Sequence, residues 1–497
     1  MECSETNRRL QKYVGKEHLL SEPYFTQICK MKHYISSVLG DFDSFINDLP
    51  SLVRVTAGAT AHTPRIDSLP QFKLKMKLYS TPRARRYLYA LYRYYGFRAP
   101  RFRDCHLNRV ETVPKNWKTD RTIACEPEGN LPLQLAFDAW TKRRLRAFGI
   151  DLSNQSLNQR ACVHASRVDG DVTVDFSKAS DTIAYNVVSW LFPVDFYRYL
   201  ADVRSPMWRI KDVNGGVYAK FSSMGNGSTF TIETLLFAAA CHAVGARNSL
   251  VYGDDVIINR AFYEPFVALT GFLGFTVNSD KTYASGPFRE SCGVDSFNGI
   301  DVTPVYVRQL DKRKASVCHF VNTLLGLTFP GSALEAFLFS LVEEFNLPLV
   351  PYQESTMSGV WIDPDVARRL RLLRQPRKNK RGWSGKWLAC FKAYVPKTRA
   401  KKFVDSRGYY LWFLNKHSQV LFKGPWELTR KSSSQTAAQT SVVQVFRHAY
   451  VRKWVGWFPP ADGLYPIHLL WWSERFRPPA RELPLKGRQT AKRKRSK

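Results

Sequence analysis

The sequence predicts an α+β chain, and three observations lead there. Short β-branched runs separated by turn residues mark antiparallel strands. Leu250-Val251 and Val256-Ile257-Ile258 flank Tyr252-Gly253-Asp254-Asp255, where Gly-Asp suits a two-residue hairpin loop because Gly supplies the positive φ such turns need. Longer runs with an apolar face mark helices at Leu131 to Phe148, Phe230 to Val244 and Pro265 to Leu273. Strand and helix signals are interspersed along 497 residues, enough for a large core divided into two or three subdomains.

From Met1 to about Pro70 the pattern is mixed, with short amphipathic segments such as Tyr34 to Phe45. Phe72 to Leu78 alternates apolar and cationic residues, the period of a strand with one wet basic face. Arg83 to Arg103 continues basic and tyrosine-rich, which suits either a finger-like nucleic-acid surface or a solvated charged face. In the segment PKNWKTDR, Lys115, Lys118 and Arg121 recur at three-residue spacing. They suit a grip on a triphosphate, Arg121 forking two oxygens, and equally a solvated basic loop. The helix from Leu131 ends on Lys142-Arg143-Arg144, cations favoured at a helix C-terminus.

Val172-Thr173-Val174 reads as a strand that delivers Asp175 at its end, and Asp181 follows at the start of a helix, as an N-cap or as a functional acid. Ser222 to Thr229 is a small-residue loop containing Ser223, Gly225, Asn226 and Gly227. Its glycines permit a close backbone approach, and Thr229 and Glu233 share a face of the following helix. Beyond the hairpin, Gly274 to Tyr283 reads as a strand running into a turn, and Phe288 to Gly293 as a hairpin with Val302 to Val307. From about Lys312 to Glu344 the chain reads as helical with a Pro330-Gly331 break. Arg368 to Arg381 is a dense cationic block, Lys431 to Gln444 a polar linker, and Lys486 to Lys497 a basic tail too polar to bury a core.

Composition narrows the partner. Seventy-four Lys and Arg against 42 Asp and Glu give a formal charge of +32, so a polyanion is the leading explanation, and nucleic acid fits best. Aromatic residues at 14% interleave with those cations, which suits stacking on single-stranded bases as well as core packing. No uninterrupted apolar run reaches the length of about 18 residues expected of a spanning helix, and no signal-peptide pattern follows Met1, so the expectation is a cytosolic protein without a membrane partner. The nine cysteines form no CxxC pair and are expected to be reduced core residues. Against this background Asp254 and Asp255 gain meaning. Two adjacent anions on an apolar support repel each other unless a cation lies between them, and hard carboxylates prefer Mg²⁺ or Mn²⁺.

The order PKNWKTDR, DFSKASDT, SMGNGSTFTIET, YGDD, NSDKTY and FRESCG, from about Val110 to about Val307, resembles the motif series of viral RNA-directed RNA polymerases. It is most similar to the replicase subunit of the small single-stranded RNA bacteriophages, the leviviruses. The resemblance implies a right-hand fold with fingers, thumb and a palm made of a small antiparallel sheet backed by helices. It places fingers and the nucleotide-entry motif at 1–170, palm at 171–310 with a fingers insertion near 185–220, thumb at 311–430, a basic aromatic region at 431–485 and a disordered basic tail at 486–497. It implies RNA-templated synthesis from NTPs, with Asp175, Asp254 and Asp255 as ligands of two Mg²⁺ ions, Mn²⁺ being the substitute. Asp181 and the Ser223–Thr229 loop would sense the ribose, and Lys115, Lys118 and Arg121 would hold the triphosphate. Lys281 would protonate the leaving pyrophosphate, with a phosphate contact or a salt bridge to Asp280 as alternatives. Glu233 stands where plus-strand animal viruses usually carry Asn. The implied partners are template and product RNA, host elongation factors Tu and Ts and a small-subunit ribosomal protein, in the cytoplasm of a bacterial host. A reverse-transcriptase-like enzyme and a noncatalytic basic RNA-binding protein are the competing readings. The first usually differs at the position of Gly253, and the second leaves the three aspartates unexplained.

Overall fold

The computed structural model describes residues 2–56, 58–63, 77–96, 98–115, 119–210, 213–305, 313–352, 354–363, 366, 370, 388–404, 439–456 and 467–476. Lys118, the cationic block at 368–381 except residue 370, the strand expected over 72–76 and the basic tail lie outside these residues. Two compact units emerge: 1–304 with 403–440, and 305–402 with 441–497.

The first unit begins with helices α1 (Glu2–Leu10), α2 (Tyr24–Leu39) and α3 (Phe42–Leu52), the last opened by Asp41, whose side chain accepts from Ser44 N at 2.7 Å. Strand β1 (Lys77–Ser80), helix α4 (Arg85–Tyr94) and strands β2 (Arg101–Asp104), β3 (Leu107–Pro114) and β4 (Asp120–Cys125) follow. Next come α5 (Asn130–Ala147), α6 (Ser156–Val168), β5 (Asp171–Val174), α7 (Ala179–Thr182), α8 (Tyr185–Leu191), α9 (Val194–Val203), β6 (Met207–Ile210) and β7 (Val213–Val217). The unit closes with α10 (Thr229–Ala243), β8 (Leu250–Tyr252), β9 (Asp255–Asn259), α11 (Tyr263–Phe272), β10 (Phe288–Ser291), β11 (Val294–Phe297) and β12 (Ile300–Asp301). The result is α+β, with the helices at 131–148, 230–244 and 265–273 found within two residues of their expected ends.

Among the described residues four small sheets organise this unit, the smallest pairing β1 with β2 in parallel. Strands run β5-β9-β8, antiparallel throughout. A second sheet runs β4-β3-β6-β7, and β10-β11-β12 forms a meander. Helix α10 is buried along most of its length, which its Thr, Ile, Leu, Phe and Ala content permits, with His242 near its end exposed, and it packs against α2, α5, α7, α11 and β8. On α3, α5 and α9, Phe42, Phe45, Phe137, Phe196 and Tyr199 form an edge-on aromatic cluster, each ring burying a large apolar area. Trp140, beside Phe45, donates its indole N–H to the Leu39 carbonyl at 2.9 Å, so α5 is hydrogen-bonded to the end of α2.

Two expectations fail locally. Gly274 to Tyr283 makes only single bridges, Phe176 with Val277 and Thr173 with Tyr283, because the segment is a run of turns seated by side chains rather than a ladder. Phe288 to Ser291 pairs with Val294 to Phe297, not with the stretch from Val302; Cys292 (φ 50°) and Gly293 (φ 73°) make the tight turn that sequence inspection passed over.

In the second unit α12 (Lys314–Leu324) and α13 (Ala333–Glu344) are separated by the expected break at Pro330-Gly331. Short strands β13 (Leu349–Pro351) and β14 (Val360–Ile362) pair in parallel, and long strands β15 (Leu388–Val404) and β16 (Gln439–Gly456), whose ends at 403–404 and 439–440 belong to the first unit, pair with each other. Helix α14 (Ile467–Glu474) inserts Leu469 and Trp472 among Val317, Val321, Leu338 and Ile362. Among the described residues no helix is long and apolar enough to cross a membrane, and eight cysteines are free, seven of them buried.

Candidate active site

The β8–β9 hairpin forms as its sequence dictates. Tyr252 pairs with Asp255 across a two-residue turn, and Gly253 adopts φ +67°. Its N–H donates to Thr234 Oγ1 of α10 at 3.1 Å, and a Cβ added there would lie 2.4 Å from Phe230 Cε2. Only glycine meets both demands. The turn therefore sits hard against α10, and Asp254 stands at its tip.

Strand β5 lies antiparallel to β9, with Val174 opposite Val256, so the next position brings Asp175 beside Asp255 at the same end of the sheet. Asp175 is held from three directions. Its Oδ2 accepts from Asn278 Nδ2 at 2.8 Å, its N–H donates to Thr282 Oγ1 at 3.1 Å, and its carbonyl accepts from Asn278 N at 2.9 Å. Asp255 Oδ1 accepts from Cys292 N at 3.0 Å and Ser291 Oγ at 3.2 Å, donors supplied by the β10–β11 turn. The Asp254 carboxylate has no hydrogen-bond or ion-pair partner among the described residues. Each of the two held aspartates thus uses one oxygen for support and leaves the other available.

The electrostatics point the same way. Burial, opposed by the Asn278 hydrogen bond and reinforced by the Asp254 charge, raises the Asp175 carboxyl above its ordinary range. Burial first, then the charges of Asp254 and Asp175, push Asp255 to about 6. Two half-buried acids whose proton affinity is raised in part by the neighbouring Asp254 charge form a site that favours added positive charge. Among the described residues no three carboxylate, His or Cys groups converge closely enough to form a ready-made single-ion cluster. The residues do fit hard divalent cations by their chemistry: carboxylate oxygens only, with unpartnered ones on each acid.

The other sequence-selected residues fall into place unevenly. Asp181 does not cap its helix, since Lys178 occupies that position; instead it pairs with Lys220 Nζ at 2.6 Å. Thr229 Oγ1 donates to the Ser223 carbonyl at 2.8 Å, and Asn226 Oδ1 accepts from Ser228 N at 2.9 Å, so this loop is knitted to itself. Gly225, at φ +104°, lets the loop press on β4, where a Cβ would lie 2.3 Å from the Ala124 carbonyl oxygen, and Gly227 N donates to Gln134 Oε1 at 3.0 Å. These glycines serve close approach between protein segments. Ser223 and Lys220 line a cavity of about 210 Å³ with Ile123, Trp208 and Tyr218. Arg121 and Lys115 are exposed near the turn of the β3–β4 hairpin, Arg121 paired with Val113 in register. Lys281 bonds Glu290 Oε1 at 2.6 Å rather than Asp280, and this contact raises its pKa.

Sequence reasoning passed over several supports. Lys220, Asn278, Ser291 and Cys292 carry no pattern that assigns them to Asp181, Asp175 and Asp255. The sequence places Glu233 on one helix face with Thr229 and marks it as a departure from the animal-virus pattern, but carries no sign of its burial. Glu233 is 5% exposed on α10, its Oε1 has no partner, and burial together with the charges of Asp254 and Asp181 raises its pKa well above the ordinary range. Glu233 is thus a buried carboxyl group in the neighbourhood of two aspartates, and its surroundings favour the protonated form.

A strand-end carboxylate stands beside a hairpin-borne pair, with a small-residue loop on the adjoining helix, and the donors of this site are carboxylate oxygens of the type that suits hard divalent cations. The family follows from comparison: the model describing "RNA replicase, beta-chain" matches residues 1–455, and the chain belongs to that family. It is 36% identical over 335 residues to the RNA-directed RNA polymerase subunit beta of Escherichia virus Qbeta, covering 65% of this chain and 56% of that protein. The corresponding subunit of Enterobacteria phage SP is 36% identical, covering 65% and 57%, and the beta chain of Escherichia phage MS2 is 37% identical, covering 47% and 44%. The chain thus matches about half the length of these curated relatives. A human picobirnavirus RNA-dependent RNA polymerase aligns over 48% of this chain and 55% of that one at 17% identity with a TM-score of 0.34, a likeness too loose to define the fold.

Proposed function

We propose that this chain is an RNA-directed RNA polymerase that copies a phage RNA genome, adding ribonucleotides from NTPs to a growing RNA 3′-end with release of pyrophosphate. The observation that carries the reading is the placement of Asp175, Asp254 and Asp255 at one end of the β5-β9-β8 sheet, each with an unpartnered carboxylate oxygen. Asp175 and Asp254 would hold two Mg²⁺ ions, or Mn²⁺, with Asp255 beside them. When bound, such ions supply activation of the attacking 3′-hydroxyl and compensation of charge on the leaving pyrophosphate. The chain's own residues do the positioning. Asn278 and Thr282 fix Asp175, Ser291 and Cys292 fix Asp255, and Gly253 aims Asp254.

The Asp181–Lys220 pair, Glu233 and the Ser223–Thr229 loop would face the ribose, where a 2′-hydroxyl separates RNA from DNA precursors. Lys115, Lys118 and Arg121 would grip the triphosphate, and Lys281, kept protonated by Glu290, would stand ready to donate to the pyrophosphate. In this reading 1–170 supplies fingers, 171–310 the palm and 311–430 the thumb, with 431–485 and 486–497 as basic extensions. Host elongation factors Tu and Ts and a small-subunit ribosomal protein would be its partners in the bacterial cytoplasm. The test is template-dependent incorporation by the purified chain, with and without host extract, comparing ribonucleotides and deoxyribonucleotides. Incorporation of ribonucleotides that needs a divalent cation and falls at least a hundredfold with Asp254→Asn is the expected result, on the scale of losing a transition-state contact. Undiminished incorporation by that variant removes the metal-site assignment.

A further inference from the structure

A second cavity, of about 710 Å³, opens beside β8, the free edge of the aspartate-bearing sheet, between the end of α10, the middle of α2 and the loop joining α5 to α6. No residue proposed above for the reaction lines it. Its volume lies in the range of small-ligand pockets, and its walls combine rings with polar groups. Tyr34 stacks on His242 with centroids 4.8 Å apart, and Phe148 meets Tyr34 edge-on at 5.8 Å while remaining 40% exposed. Asn158 on the wall is 5% exposed, yet its Nδ2 has no hydrogen-bond partner. A buried amide donor left unmade costs free energy, and a turn of the Asn158 side chain, whose Nδ2 is closed off from the cavity as it stands, would bring it to a bound acceptor. Arg247 is exposed on the rim, and after burial its charge, with that of Lys30 nearby, lowers the His242 pKa. Asp151, a carboxylate on the wall, is already engaged by Arg146 Nη2 at 3.0 Å and by Ser153.

We propose that this cavity binds a nucleotide, its base stacked on the exposed ring of Phe148 or His242 and hydrogen-bonded by Asn158 Nδ2, its phosphate facing Arg247. Every nucleobase offers a π-face and an acceptor edge, and the phosphate matches the rim charge. The ligand is either a free nucleotide or one residue of an RNA strand. The inference does not rest on the polymerase reading, because its test scores binding alone.

The experiment uses the full chain in EDTA, which withholds the cation from the aspartates. Binding of 8-azido-AMP, and separately of a short 5′-labelled oligoadenylate, is measured at equilibrium and then mapped by photocrosslinking. Label within 148–158 or 242–252, weakened about fivefold by Asn158→Ala and about tenfold by Arg247→Ala, is expected. Arg247 is on the exposed rim, so its variant tests the site even if Asn158→Ala folds poorly. Labelling by the mononucleotide identifies a free-nucleotide site, and labelling by the oligomer alone identifies an RNA contact. Absence of binding by either probe, or label confined to 115–124 and 220–234, overturns the proposal. Asp254→Asn is expected to leave the crosslink in place.

Discussion

At the scale of single residues the site is a set of acids held against their own preference. Asp255, raised from 3.8 to about 6, is ionised at pH 7 only at a cost to the folded state. Because its native pKa lies above the unfolded one, the native state binds more protons between those values, and stability declines as pH rises through 6. Asp255→Asn removes that charge while keeping an acceptor for Ser291 and Cys292. In EDTA at pH 7 it is expected to be more stable than the parent chain by about 1–3 kcal/mol, the gap closing toward pH 4; denaturant melts at both pH values check this. A parent that is equally stable at pH 7 would mean that the native carboxylate carries no penalty. Glu233 makes a parallel case. If it is neutral, Glu233→Gln changes stability by less than about 1 kcal/mol, whereas an ionised Glu233 would make the same change clearly stabilising. An infrared carboxylic C=O band lost in the variant reports the protonation state directly. Nothing in the residue type at 233 announces this, because the pKa is set by the helix packing around it.

At the scale of elements, the hairpin shows how a short motif depends on its neighbours. The Gly-Asp turn was legible because a two-residue loop between β-branched runs demands a residue tolerant of positive φ. The contact with Phe230 was not legible, since it depends on how α10 crosses the sheet. Gly253→Ala meets both the φ of +67° and a 2.4 Å clash, so it is expected to destabilise by about 1–3 kcal/mol and to depress incorporation by displacing Asp254. Thermal melts and the incorporation assay separate the two effects. A second element-level device is Arg289. It is wholly buried, donates to the carbonyls of Asp171, Gly286 and Phe288, and pairs with Asp169 at 2.8 Å. It therefore joins β5, β10 and the end of α6. Arg289→Met strands those acceptors and is expected to cost about 2–4 kcal/mol in chemical denaturation, where an ordinary surface arginine would cost almost nothing. The sequence FRESCG held Arg289, Ser291 and Cys292 together without revealing that one staples the sheet while the other two orient Asp255.

At the scale of the whole molecule, charge is the dominant property. A formal excess of 32 positive charges predicts RNA binding dominated by counterion release. If six phosphates are neutralised, the slope of log affinity against log salt is about −4 for single-stranded RNA, and filter binding between about 50 and 200 mM salt measures it. A flat dependence would contradict the electrostatic reading. What the sequence determined by itself was local and additive: the α+β class, the major helices, the hairpin, the strand that ends in Asp175, and the cationic balance. Each follows from periodicity, turn chemistry or summed charge, which neighbours in the chain are enough to set. Only the tertiary structure decided that Lys220 pairs with Asp181 and Lys281 with Glu290, that Asn278 and the 291–292 turn hold the aspartates, and that the small-residue loop is packed on β4. Those pairings join residues far apart in sequence, and their energies depend on burial and distance, quantities that exist only once the chain has closed on itself.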